Sequence, residues 1–170
     1  MDRDDLVRDV YAHFGLALYN AQVLEHGLVN AIVFASKVAE RLPTLADFDA
    51  LLGSNFERTL GGLIRELSNQ VPVDPMLAEL LKSALARRNW LAHHYFRERA
   101  VTFMNETGCT SMIAELQSAQ ELFRQADVAL AQVVRPLFVH IGVTDRKIDA
   151  YVAEVIRSAH ARSSSDSEGI

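Results

Sequence analysis

The sequence predicts an all-α fold, an antiparallel helical bundle of about five to six helices, on three observations. Apolar residues recur at three- and four-residue spacing through most of the chain. No stretch of useful length alternates with the period of two that a strand requires. Helix start and stop signals divide the periodic segments into pieces joined by short connections, which favours antiparallel neighbours. Apolar side chains make up 49% of the 170 residues, enough for one core and too few residues for two comfortable domains. A single domain is therefore expected over residues 1–161, and the serine-rich segment 162–170 is expected to be a disordered tail.

The first forty residues read as one long helix. Leu6, Val10, Phe14, Ala17, Leu24, Leu28, Ile32 and Ala35 fall at helical spacing, with Gly15 and Gly27 as the places where it could kink. Pro43-Thr44 ends it, and Thr44 can cap a short helix through Leu52. After the break at Gly53-Ser54-Asn55, a third helix is expected over about Phe56–Ser68, burying Leu60, Leu63, Ile64 and Leu67. Gly61-Gly62 inside it suits a close-packing point.

Val71-Pro72-Val73-Asp74-Pro75 closes that segment and starts the next. Asp74 is a good N-cap, and Pro75 suits the first helical position because its missing amide is an orphan there anyway. The fourth helix carries Arg88–Tyr95 and is expected to stop near Gly108. Ser111 with Glu115, or Thr110, then opens a fifth helix through Ile113, Leu116, Leu122, Phe123, Val128 and Leu130. Pro136 is expected to kink or end it. Gly142-Val143-Thr144 resets the chain for a last helix over 145–160.

A formal charge of −5 argues against a protein that coats nucleic acid by overall positive charge, and leaves room for a local basic patch. Cys109 is the lone cysteine, so no intramolecular disulfide framework is possible. The acidic start Met1-Asp2-Arg3-Asp4-Asp5 is unlike a secretory signal, and no run of eighteen apolar residues occurs. A cytoplasmic protein without a membrane partner is expected.

The chemistry concentrates on the fourth helix. At 100° per residue, Leu77, Leu81, Ala84, Leu91, Ala92 and Tyr95 make its apolar stripe, and Arg88 lies inside that stripe. A guanidinium cannot shed its charge there, so it needs a paired acceptor or a route to solvent along its aliphatic stem. Glu25 sits at the edge of an apolar face of the first helix, beside Val7, Leu18 and Ile32. Two opposite charges directed into one bundle are costly singly and tolerable together, so Glu25 is the proposed partner that orients Arg88. The other reading leaves Glu25 at the margin in water.

His93 faces the other way, with Asn89 one turn before it and Arg97 one turn after. An imidazole can shuttle protons, and arginines hold a phosphate and stabilise charge developing on it. Spacing alone also suits a merely solvated histidine. His93 and His94 diverge by 100° and cannot easily share a metal ion, and no cysteine pair or i, i+4 ligand set accompanies them, so neither metal nor cofactor is expected. No glycine-rich phosphate loop and no nucleophile elbow is present. Trp90 points off the apolar stripe, where it suits a dimer interface.

Arg88-Asn89-Trp90-Leu91-Ala92-His93-His94-Tyr95 resembles the R-N-x-x-x-H motif of HEPN domains, with the H-x-Y extension of HEPN toxins. Leu85-Ala86-Arg87, Phe96-Arg97-Glu98-Arg99 and Gln22-Val23-Leu24-Glu25 on the first helix are also similar. The likeness is sharp over 85–99 and loose over 5–140. It implies a metal-independent endoribonuclease that leaves a 2′,3′-cyclic phosphate and a 5′-hydroxyl. Arg88 and His93 would be the catalytic pair, with Asn89 supporting their geometry. Glu25, His94, Tyr95 and Arg97 would support the site or touch RNA. Tyr95 matches a tyrosine that a partner nucleotidyltransferase antitoxin modifies in some toxin members. The resemblance further implies a homodimer with a composite site, and a toxin–antitoxin or defence role. Other relatives of this kind are non-catalytic and bind nucleotides or proteins, which is the alternative expectation.

Overall fold

The computed structural model describes residues 2–37 and 59–140, with positions 144, 146, 147, 149, 150, 153 and 157 beyond them. The described residues form helices and no strand: α1 (Arg3–Lys37), α2 (Leu60–Gln70), α3 (Pro75–His93), the single turn α4 (Tyr95–Glu98), a 3-10 turn (Thr102–Met104) and α5 (Glu106–His140). This is the all-α helical bundle that the periodicity predicts. The expected short helix over 44–52 and the tail 162–170 lie outside the described residues. So does most of the expected last helix, whose described positions are helical, with the Lys147 amide donating to the Thr144 carbonyl at 2.9 Å.

Two long helices carry the core. On α1, Leu6, Val10, Ala17, Ala21, Leu24 and Leu28 are buried. On α5, Cys109, Met112, Leu116, Ala119, Phe123, Ala126 and Leu130 are buried at alternating steps of three and four. That is the spacing of a coiled-coil seam, and the alanines let the two backbones approach. The expected α5 stripe followed hydrophobicity more than register: Ile113 and Leu122 are half-buried, and Val128 stands 48% exposed. α1 runs uninterrupted through Gly15 and Gly27. At Gly27 a β-carbon would lie 2.9 Å from Asp127 Oδ1, so glycine there permits the close approach of α5.

Directions follow from the contacts between helices. Gln120 of α5 donates to the His13 carbonyl of α1 at 2.9 Å, and Gly27 lies against Asp127 and Leu130, so α1 and α5 run the same way. α3 is antiparallel to its neighbours. Its Arg88 meets Glu25 of α1, while Tyr95 just beyond it stacks on Phe14. Its Leu85 packs on Gly61 of α2, the close-packing point expected of Gly61-Gly62.

The caps explain the boundaries. Asp74 accepts from the Leu77 amide at 2.9 Å with Pro75 in the first turn of α3, as the sequence indicates. α2 starts at Leu60, later than expected, because Thr59 is its cap and accepts from the Gly62 amide. Two boundaries differ more. α3 does not continue to Gly108; it ends at His93, and His94, at φ −128° and ψ −23°, leaves helical geometry. α5 begins before Gly108, because Asn105 accepts from the Gly108 amide at 2.8 Å and does the capping expected of Ser111 or Thr110. Pro136 does not end α5, which continues to His140.

The bend at His94 has a packing cause. It turns the chain so that Tyr95 and Phe96 join Phe14, with ring centroids at 5.7 and 4.8 Å. Tyr11 and Phe103 extend the same cluster. Such stacked, tilted and edge-on pairs contribute about 0.5–1.5 kcal/mol each beyond the area they bury.

Candidate active site

The last two turns of α3 place Arg88, Asn89, Trp90 and His93 at the centre of the site. Because α3 stays helical through His93, Arg88 and His93 diverge by roughly 140° around the axis. Arg88 leaves the core stripe toward α1, and its Nε lies 3.3 Å from Glu25 Oε1. The pairing that the helical wheel suggests is therefore present. Arg88 Nη1 also donates to Asn89 Oδ1 at 3.3 Å, so the asparagine braces the other edge of the guanidinium.

His93 is exposed at the C-terminal end of α3. Its ring meets that of His94 edge-on at 6.3 Å, and among the described residues neither of its nitrogens has a hydrogen-bond partner. The imidazole is available to something outside the chain. Among the described residues Arg97 makes no hydrogen bond to it. The turn at His94 swings Arg97 onto the other histidine, with Nη2 at 3.0 Å from His94 Nδ1. The Asn89–His93–Arg97 strip expected for one continuous helix is thus reduced to Asn89 and His93.

Tyr95 lies in the core, as its place in the apolar stripe predicts, and not at the site surface that the resemblance implies. Its side chain is 1% exposed, its hydroxyl donates to the Met112 carbonyl at 3.2 Å, and its ring stacks on Phe14. Burial, with the Glu115 carboxylate nearby, pushes the phenol well above its ordinary range. It is a core residue in the folded chain, out of reach of a substrate or of an enzyme that would modify it.

Trp90 is also more engaged than expected. Its Nε1 donates to Glu98 Oε2 at 2.8 Å and its ring meets Tyr95 edge-on at 5.0 Å. The guanidinium carbons of Arg87 and Arg99 each lie 5.1 Å from its ring centroid. Arg99 is fixed by two hydrogen bonds to Glu115, at 2.9 and 2.7 Å, and that partner holds its pKa above the ordinary range. Arg87, Trp90, Arg99 and Glu115, with Ser83 and Leu122, line an open groove of about 570 Å³ between α3 and α5.

The arginine-rich stretch is less cationic than its sequence suggests, since Glu25 engages Arg88 and Glu115 engages Arg99. Arg87 and Arg97 have no carboxylate partner among the described residues. Glu98 and Glu115 were not legible as site residues. The Trp90–Glu98 pairing spans eight positions across the bend at His94, and the Arg99–Glu115 pairing spans sixteen across the 3-10 turn, which no helical spacing reveals.

Among the described residues no group of three histidine, cysteine or acidic side chains could hold a metal ion, and no helix is long and apolar enough to cross a membrane. Comparison with protein-family models, with curated proteins and with solved structures finds no match to this chain.

Proposed function

We propose that this chain is a metal-independent endoribonuclease of the HEPN type, acting as a homodimer with a composite site. The observation that carries the reading is the end of α3, where Arg88 is braced by Glu25 and Asn89 while His93 stands exposed and unpartnered five residues on. In such a reaction the 2′-hydroxyl attacks the adjacent phosphorus and the 5′-oxygen leaves. An imidazole takes the 2′ proton or supplies the proton for the leaving oxygen, and a guanidinium stabilises charge on the phosphoryl oxygens. Arg88 and His93 diverge on their helix, so two copies facing each other would bring one chain's histidine toward the other's arginine. Exposed Tyr11, Leu16, Tyr19 and Val23 on α1, the helix that supplies Glu25, are apolar surface suited to such an association. A toxin or defence role belongs to the same proposal, with silencing by a partner that does not act on Tyr95.

The test is cleavage of a mixed RNA in EDTA by wild type, Arg88→Ala and His93→Ala, with product ends analysed. Cyclic-phosphate ends from wild type and at least hundredfold loss in each variant are expected. Cleavage that survives both substitutions would overturn the assignment. The alternative is a non-catalytic module of the same fold that binds nucleotides or proteins, in which the Glu25–Arg88 pair is structural. Absence of cleavage together with saturable nucleotide binding would select it.

A further inference from the structure

We propose that the groove between α3 and α5 is a subsite for one nucleotide of single-stranded RNA, with the base stacked on Trp90 and its phosphate on Arg87. This rests on the ribonuclease reading and assigns it a substrate-holding surface that the Arg88–His93 motif lacks.

The indole is a prepared plate. Its N–H is anchored on Glu98 and its ring lies nearly perpendicular to that of Tyr95, so its plane is set before any ligand arrives. The two cations on it are not equivalent. Arg99 is held by both oxygens of Glu115 and cannot leave without breaking a bidentate pair. Arg87 is held by the ring alone, 5.1 Å from its centroid, with no carboxylate partner among the described residues. A base entering the groove exchanges the Arg87–indole contact for a stack and releases a cation for the phosphate that accompanies it. Of the acidic groups nearby, Glu115 is neutralised by Arg99, while Glu98 keeps its charge at the N–H edge of the indole, so the phosphate is assigned to Arg87 and not to that edge.

The groove also stands at the right place. Trp90 and His93 are three residues apart on one helix, so their β-carbons are neighbours, about 5–6 Å apart. A nucleotide stacked on Trp90 therefore presents its neighbouring phosphate toward His93. Every base has a π-face, so such a subsite holds single strands with little sequence preference and excludes duplex, whose bases are already stacked.

Trp90 is the one tryptophan in the chain, so its fluorescence reports this subsite directly. A short 2′-O-methyl RNA, which lacks the attacking hydroxyl and cannot be cleaved, is titrated while indole emission is followed. Saturable quenching is expected, and an abasic oligonucleotide of equal charge should produce none. Arg87→Gln should weaken binding ~10-fold, and should lower the salt slope by about 0.7 as one single-strand phosphate contact is lost. Arg87 is half-buried and glutamine keeps much of its aliphatic stem, so this substitution disturbs less packing than Trp90→Ala would, and a circular-dichroism spectrum and melting curve matching wild type show that the variant is folded. Oligonucleotide binding by anisotropy with unchanged indole emission would overturn the subsite, as would equal quenching by the abasic strand. Wild type that cleaves RNA without quenching removes the subsite and leaves the ribonuclease reading standing. Quenching without cleavage does the reverse.

Discussion

Arg88 Nε lies 3.3 Å from Glu25 Oε1 across the contact between α3 and α1, with the two side chains 30% and 26% exposed. That carboxylate oxygen is itself buried and receives no well-aligned hydrogen bond, so charge attraction is what holds the two groups together. Partial exposure limits its worth. Glu25→Gln and Arg88→Gln should each lower unfolding stability by about 1 kcal/mol, with a coupling of about 0.5–1 kcal/mol in the double-mutant cycle. Urea unfolding of the four proteins measures this, and strict additivity would show that the pair does not form in solution.

Burial of Tyr95 makes two measurable differences from Tyr11 and Tyr19, the other tyrosines among the described residues. Tyr11 and Tyr19 are 54% and 60% exposed, so N-acetylimidazole should acetylate both in the native protein and spare Tyr95. Mass spectrometry locates the products, and rapid native-state labelling of Tyr95 would contradict its burial. The phenol also titrates above its ordinary value of 10.0 because burial disfavours the phenolate. The folded state therefore holds this proton more tightly than the unfolded chain does. The resulting stability is complete below pH 10 and declines as pH rises beyond it. Tyr95→Phe should cost about 1 kcal/mol at neutral pH through the lost bond to Met112, and should flatten the decline above pH 10.

Two glycines should respond in opposite directions to the same change. A β-carbon on Gly15 meets nothing within 4 Å, whereas one on Gly108 would run into the Thr102 carbonyl. Gly15→Ala should stabilise α1 by about 0.5–1 kcal/mol, because alanine loses less backbone freedom on folding. Gly108→Ala should destabilise by about 3 kcal/mol, since the start of α5 must move off the 3-10 turn. Thermal unfolding of both variants reads this directly, and equal shifts would contradict the local packing.

The contrast between those glycines also shows what the sequence could disclose. Asp74-Pro75 marks the start of α3 by a local hydrogen bond and a fixed φ, both written in adjacent residues. The approach of Arg88 to Glu25 was legible because each breaks the apolar period of its own helix, and each anomaly needs a partner. Gly108 misled because glycine signals a helix end in general, whereas here it accommodates a carbonyl from a turn six residues upstream. The bend at His94 carries no glycine or proline and is imposed by aromatic packing at Phe14, Tyr11 and Phe103. Nothing local marks this bend, so a continuous helix places Arg97 beside His93, and neither the link from Trp90 to Glu98 nor the one from Arg99 to Glu115 across the 3-10 turn follows from helical spacing.

Asp127 offers a test of how tightly α1 and α5 close. Its carboxylate is half-buried against Gly27, and it has no hydrogen bond or ion pair among the described residues. Desolvation raises its pKa above the ordinary 3.8. A raised value in the folded state means that the favourable contribution is present below pH 3.8 and lost as pH rises through the folded value. At neutral pH the charged group is therefore a cost. Asp127→Asn keeps the size that fits beside Gly27 and removes the charge, so it should raise the unfolding midpoint at pH 7. The gain should shrink as pH falls through the raised pKa of the wild-type carboxyl, where it takes up its proton. A variant less stable than wild type by the same margin at pH 7 and pH 4 would mean that the carboxylate is solvated, and that the two helices stand further apart at Gly27.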